Sequence, residues 1–231
     1  MSASALASIG IDIGKDNFHV VALDHRGEVV HKSRCKREQV VAAALQLDAP
    51  LIAMEACGGA HEPARRLAGQ GRQVRLLVAA DVRPFVRRQK NDSNDAQAIA
   101  EAALRPTVRT VGIKSVEQQD AQLLHRIRAR LVKQRTALIN QARAMLLEAG
   151  ITIGAGRKRI ARRLPLLLAD EATALSPSRR ALLTAQMQSW RSAEEQIAAI
   201  DGQLKAVARG DDRCRRLLTI PGVRSKEGVT H

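Results

Sequence analysis

Two aspartates stand one helical turn apart in "QKNDSNDAQAIAEAAL" (residues 89–104), where Asp92 and Asp95 head an Ala/Ile/Leu run of good helix-forming character. One Asp or Asn is enough to cap a helix, so the second raises a question of chemistry. Two more carboxylates sit in apolar surroundings. Asp12 lies in the alternating "IGIDIG", and Glu55 closes "PLIAME". A charge on such a strand is costly unless a cation or hydrogen bonds compensate it. Four carboxylates converging at one sheet edge would repel and raise the pKa of one member. A divalent cation removes that penalty, and oxygen-rich clusters suit Mg²⁺, with Mn²⁺ as substitute. Paired metals about 4 Å apart are a common device for cutting a phosphodiester. Simpler roles fit each residue alone: Asp92 or Asn94 as a cap on a 95–104 helix, Asp95 favoured by the helix dipole, Glu55 as a structural acceptor.

The elements that must position these groups follow from periodicity. Ile9, Ile11 and Ile13 alternate with Gly10, Asp12 and Gly14, which predicts a strand. Phe18 to Leu23 predicts a second strand, and "DHRG" a turn into a third over Glu28 to Lys32. "REQVVAAALQL" has helical character, "PLIAME" reads as a buried strand, "AHEPARRLAGQG" as a helix and "QVRLLVA" as a strand. The order β-β-β-α-β-α-β-α implies a mixed sheet with helices packed on it.

From Ser115 the pattern changes. Ser115 with Gln118 fits a capping box, and a helix is expected from there to Gly150. Leu124, Ile127, Leu131, Leu138, Ala142 and Met145 fall on one stripe, with Arg126, Arg130 and Lys133 opposite. A Gly/basic break, "GAGRKRIARR" (154–163), precedes Pro165 and Pro177. A second long helix over 178–208 carries Trp190, Ala193, Ile197, Ile200, Leu204 and Val207 in a short heptad seam. An antiparallel hairpin and dimerisation through these helices are both compatible with it.

Charge divides the same way. Residues 1–104 carry 14 Lys/Arg against 12 Asp/Glu, whereas residues 105–231 carry 24 against 11. A polyanion such as DNA or RNA is the expected partner of the second half, ahead of a membrane surface. The densest cluster, Arg157, Lys158, Arg159, Arg162 and Arg163, reads as phosphate contact or as a solvated linker. Only two Phe, one Trp and no Tyr are present, so stacking of bases on aromatic platforms is not expected. Three cysteines with no CxxC pair point to a reducing, cytoplasmic setting, and Cys57 with His61 is too few ligands for zinc. No apolar run reaches membrane-spanning length.

"GIDIGKDNFHVVALD", "MEACGG", "RQKNDSNDAQAIAEA", "KSVEQQDAQLLHRIRARLVKQRTALINQARAMLLEAGI" and "LLTIPGV" together resemble the DEDD transposases of the insertion-sequence 110 type, in order over residues 8–223. The resemblance implies a RuvC-like, RNase H-type α/β domain (1–107), a basic coiled-coil-like helical region (108–209) and the start of a C-terminal transposase domain (210–231). It implies an acidic set of Asp12, Glu55, Asp92 and Asp95 holding Mg²⁺, a helical region used for homo-oligomerisation and nucleic-acid contact, and DNA recombination guided by an element-encoded RNA. After Val223 the sequence turns to "RSKEGVTH". The expected chain is therefore a shortened copy without a serine nucleophile, Ser225 lying in a stretch that does not match. Two competitors remain. One is an inactive nucleic-acid-binding remnant that inhibits intact relatives. The other is an actin-like ATPase using "GIDIG" as a phosphate hairpin, for which a second "DxGG" loop is lacking.

Overall fold

The structure, a computed structural model, describes residues 5–86 and 92–222, apart from the side chain of Asp92. The expectations placed on Asp92's side chain and on Ser225 thus lie outside the described residues. The chain divides into two compact units, Met1–Val116 and Glu117–His231.

Unit 1 is built on a six-stranded sheet. Its strands are β1 (Leu6–Ile13), β2 (Asn17–Asp24), β3 (Val29–Lys36), β4 (Leu51–Glu55), β5 (Gln73–Leu77) and β6 (Thr110–Val111). The spatial order is β3-β2-β1-β4-β5-β6. β1, β4 and β5 run parallel, while β2, β3 and β6 join antiparallel. Helices α1 (Val40–Gln46), α2 (His61–Gly69), α3 (Ala79–Val82) and α4 (Asp92–Ala103) complete the layers, with a 3-10 turn at Arg83–Phe85. This is an α/β RNase H-like domain, followed by a helical extension, as the sequence predicts.

Local chemistry explains the hairpins. Asp24 is buried, and its Oδ1 accepts from the backbone amides of Arg26 (2.8 Å) and Glu28 (2.9 Å), while Gly27 takes φ +83° to close the turn. β3 runs to Lys36, four residues beyond the expected end. It is an edge strand whose side chains alternate between half-buried and exposed, so Arg34 and Lys36 carry no apolar signature. β6 is two residues long and too short for periodicity to reveal.

The sheet's two faces bury different helices. Ile9, Ile11, Val20, Ile52 and Met54 pack with Ala44 of α1 and with Ala64 and Leu67 of α2. The other face receives α4. Val21 and Leu23 meet Ala96 and Ala100, and Leu51, Ala53 and Leu77 meet Ala98, Ile99 and Ala102.

Among the described residues, the regular elements of unit 2 are helices: α5 (Val116–Leu147, which starts at the unit boundary), α6 (Arg157–Ala169), α7 (Pro177–Gly210) and α8 (Asp212–Leu218). Ser115 immediately precedes α5, and Ser176 caps α7 by accepting from the Arg179 amide at 3.2 Å. Three side-chain pairs fix α5 antiparallel to α7: Arg128 with Asp201, Gln141 with Gln186 (3.1 Å) and Glu148 with Arg179 (3.8 Å). Their shared core holds Ile139, Ala142, Leu146, Leu183 and Trp190. Of the expected stripe, Leu131 and Ala142 are buried, whereas Ile127 is 42% exposed. The expected break at 154–163 is instead mostly helix. Ile160 and Leu164, one turn apart, are fully buried and hold α6 against the core despite Pro165 within it.

Candidate functional site

Backbone register decides which carboxylates meet. β1 and β4 pair in parallel as Ile9↔Ile52, Gly10↔Ala53 and Ile11↔Met54, so the next step sets Asp12 beside Glu55 at the C-terminal ends of both strands. Across β2, Asp12 pairs directly with His19. Residues opposite one another share a sheet face, so His19, Asp12 and Glu55 form one row. All three are half-buried.

α4 approaches the same row from one side. Ser8 Oγ donates to the Ala100 carbonyl at 3.0 Å, and two residues along β1 a Cβ on Gly10 would lie 2.0 Å from the Ala96 carbonyl oxygen. The helix therefore runs antiparallel to β1 and touches it backbone to backbone. Each two-residue step from Ser8 to Gly10 to Asp12 is matched by about one helical turn back, from Ala100 to Ala96 to the first turn of α4. Asp95 lies one turn before Ile99, on the stripe that packs against Ala53, while Glu55 is two residues beyond Ala53. Asp92 opens α4, so Asn94 and Asp95 belong to the first turn rather than capping the helix from outside. Negative side chains there are favoured by the helix dipole.

The donor set is all carboxylate, which suits a hard divalent cation. Among the described residues, no three His, Cys, Asp or Glu side chains stand close enough together to hold a metal. Asp12, Glu55 and Asp95 alone thus do not complete a ligand shell.

The partner of His19 can be counted from the hairpin. The β1–β2 turn spans Gly14 to Lys15 and Asp16, and counting outward from Ile13↔Phe18 gives Asp12↔His19. Positive charge lies on the opposite face of the sheet, the one that carries Phe18 and Ile13. The Arg37 guanidinium sits 4.9 Å over the Phe18 ring and donates to the Lys15 carbonyl at 3.4 Å, and it lies against Gly59 after β4. His61 is accounted for structurally. It is buried and its Nδ1 accepts from the Lys114 amide at 3.2 Å, while burial, aided by Lys114 and Arg65, lowers its pKa.

The basic candidates separate into two groups. Arg157 forms an ion pair with Glu194, beside Arg135, whose pKa is lowered by burial and then by Arg157. Arg126, Arg130, Lys133, Lys158, Arg159, Arg162 and Arg163 are exposed. Arg130 donates to Gln134 at 3.3 Å on its own helix. Among the described residues no helix is long and apolar enough to cross a membrane.

An RNase H-like sheet with carboxylates at the ends of adjacent parallel strands, followed by a basic helical unit, defines an α/β protein with a helical extension. Comparison narrows it further. The chain belongs to the IS110-type DEDD transposase family, which its residues 9–151 match and which is described as a transposase. It is 45% identical over 215 residues to the transposase for insertion sequence element IS1111A of Coxiella burnetii, covering 93% of this chain and 59% of that protein. A probable family 20 transposase of Pseudomonas aeruginosa is 42% identical over 94% of this chain and 65% of its own length. The transposase for insertion sequence element IS1328 of Yersinia enterocolitica is 39% identical over 93% and 64%. The chain spans about three-fifths of the length of the curated relatives it matches.

Proposed function

We propose that this chain supplies the metal-binding and nucleic-acid-holding parts of a DNA transposase. Asp12, Glu55, Asp92 and Asp95 hold Mg²⁺, with Mn²⁺ able to replace it. When bound, paired ions would activate the attacking oxygen and stabilise the leaving oxygen of a phosphodiester. The chain's own residues do the positioning. β1 and β4 fix Asp12 and Glu55 side by side, and the contact of α4 with Gly10 directs its first turn toward them. His19 flanks Asp12 on the other side.

The helical unit holds DNA, and an element-encoded guide RNA, through Arg126, Arg130, Lys133, Lys158, Arg159, Arg162 and Arg163, with Arg157 partly committed to Glu194. It also joins copies of the chain into an oligomer. The observation that carries the reading is the parallel β1–β4 register, which supports a shared role for Asp12 and Glu55 at one sheet edge.

Calorimetric titration of Mn²⁺ into the wild-type chain and into Asp12→Asn tests it. Saturable binding abolished by the substitution is expected, because it removes a charge from the centre of the row. Binding indifferent to Asp12 would sink the metal assignment and leave nucleic-acid binding as the chain's activity.

A further inference from the structure

α6 and the segment before it border an open, shallow cavity of about 320 Å³. It is lined by Thr152, Ile153, Gly154, Arg159, Arg162, Arg163 and Leu166. The four helical members recur at i, i+3, i+4 and i+7, so they form one stripe, opposite the buried Ile160 and Leu164. Two features set this stripe apart from a solvated basic face. Leu166, one turn beyond Arg162 and Arg163, is 67% exposed, an apolar side chain left in water where a charged one would be easier to keep. The Arg159 guanidinium arches over Gly154 so closely that a Cβ there would meet Nη1 at 2.8 Å. In contrast to Arg157 and Arg179, none of Arg159, Arg162 and Arg163 has a carboxylate partner among the described residues.

We infer that this cavity receives one unstacked nucleotide of a single-stranded polynucleotide. Its base lies against Leu166, Ile153 and the plane of Arg159, and its flanking phosphates lie on Arg162 and Arg163. The inference rests on the nucleic-acid reading of the helical unit and adds strand type and subsite to it. Volume supports it, since about 300 Å³ is the lower end of pockets that take a ligand-sized group. Composition supports it too. Unstacked bases are commonly held on aromatic rings or on arginine planes, and this unit offers only the buried Trp190, so the arginine plane is the surface left. A duplex would satisfy the three charges yet leave Leu166 unused, because its bases are already stacked. An acidic membrane surface would use both charge and Leu166, and is the competing class.

The test uses the full chain with labelled dT20, rU20 and a 20-base-pair duplex, each over a salt series, in the wild type and in Leu166→Ala, Arg162→Ala and Gly154→Ala. Leu166→Ala is expected to weaken single-strand binding about fivefold or more, through lost apolar contact, and to leave the duplex unchanged. Arg162→Ala should weaken both and lower the single-strand salt slope by about 0.7. Gly154→Ala, which displaces Arg159 without altering charge, should act like Leu166→Ala. Trp190 fluorescence checks that each variant is folded. A stronger effect on dT20 or on rU20 tells DNA from RNA.

Equal loss on duplex and single strand in Leu166→Ala, or no loss on either, overturns the subsite while leaving nucleic-acid binding intact. Absence of binding to all three probes overturns both readings. Binding to phosphatidylserine vesicles that Leu166→Ala abolishes, with oligonucleotide binding unaffected, assigns the patch to a membrane surface and also overturns it.

Discussion

Replacing Gly10 by alanine tests the contact that seats α4 on the sheet. The added methyl would stand 2.0 Å from the Ala96 carbonyl oxygen, 2.5 Å from the Ala100 nitrogen and 3.0 Å from the Ala100 Cβ. Two of these neighbours are backbone, so no rotamer change relieves the clash. α4 must retreat by about 1 Å or more before the shortest contact becomes tolerable. That retreat stretches the 3.0 Å hydrogen bond from Ser8 to Ala100, worth about 1 kcal/mol. It also opens a gap over Val21, Leu23 and Ala53, and a gap of 0.5–1 Å forfeits about a quarter to a half of each dispersion contact. Overpacking itself costs about 1–3 kcal/mol. A loss of about 3 kcal/mol from unit 1 is expected, which moves a urea midpoint down by about 1.5 M at a slope near 2 kcal/mol per M. Two probes localise it. Trp190 is the only Trp, no Tyr is present, and it lies in unit 2, so its fluorescence follows unit 2 while far-UV circular dichroism follows both units. The dichroism transition should shift and the Trp190 transition should not. A dichroism midpoint equal to wild type would show that α4 does not sit on Gly10, and the route by which Asp95 approaches Asp12 would fall with it.

Three further outcomes are expected. Asp81 accepts from the Arg109 side chain at 2.8 and 2.9 Å and from its amide at 3.0 Å, and these bonds hold its pKa down to about 2. A depressed carboxylate contributes stability above its unfolded pKa and loses it as pH falls toward the folded one. Acid titration of the dichroism signal between about pH 4 and pH 2 should therefore be shallower in Asp81→Asn than in wild type. The Arg180 guanidinium donates to the carbonyls of Leu167, Leu168, Asp170 and Thr173, gathering the end of α6 onto α7. Arg180→Ala should cost unit 2 about 2 kcal/mol, read by Trp190 fluorescence in urea, with Lys recovering little because it lacks the fork. Gly202 lies inside α7 with nothing within 4 Å of a Cβ position, so Gly202→Ala should stabilise unit 2 by up to about 1 kcal/mol and raise its melting midpoint by a few degrees.

Much of unit 1 was legible because its signals are local. Alternation in "IGIDIG", the turn chemistry of Asp24 and Gly27, and the apolar run of β4 each fix an element without reference to the rest. Edge strand β3 was legible only to Lys32, since an edge buries one face lightly. The basic stretch 157–163 was opaque for a related reason. Ile160 and Leu164 are only two residues among arginines, and their burial depends on α5 and α7 being in place. Within the site, the Asp12–His19 pair follows from the hairpin turn by counting. The Asp12–Glu55 pair does not, because parallel register between strands some forty residues apart is set by packing of the whole sheet.

The close seating of α4 has a consequence for how the chain can change length. Because the helix meets β1 backbone to backbone at Gly10 and seats Ile99 against Leu51, Ala53 and Leu77, its rotational phase is fixed on the sheet. One residue inserted between Asp95 and Ala96 would turn Asp95 by about 100° and lift it about 1.5 Å relative to the Gly10 contact, while the helix itself stayed intact. A one-residue change of length inside α4 thus alters the candidate site without altering the secondary structure that carries it.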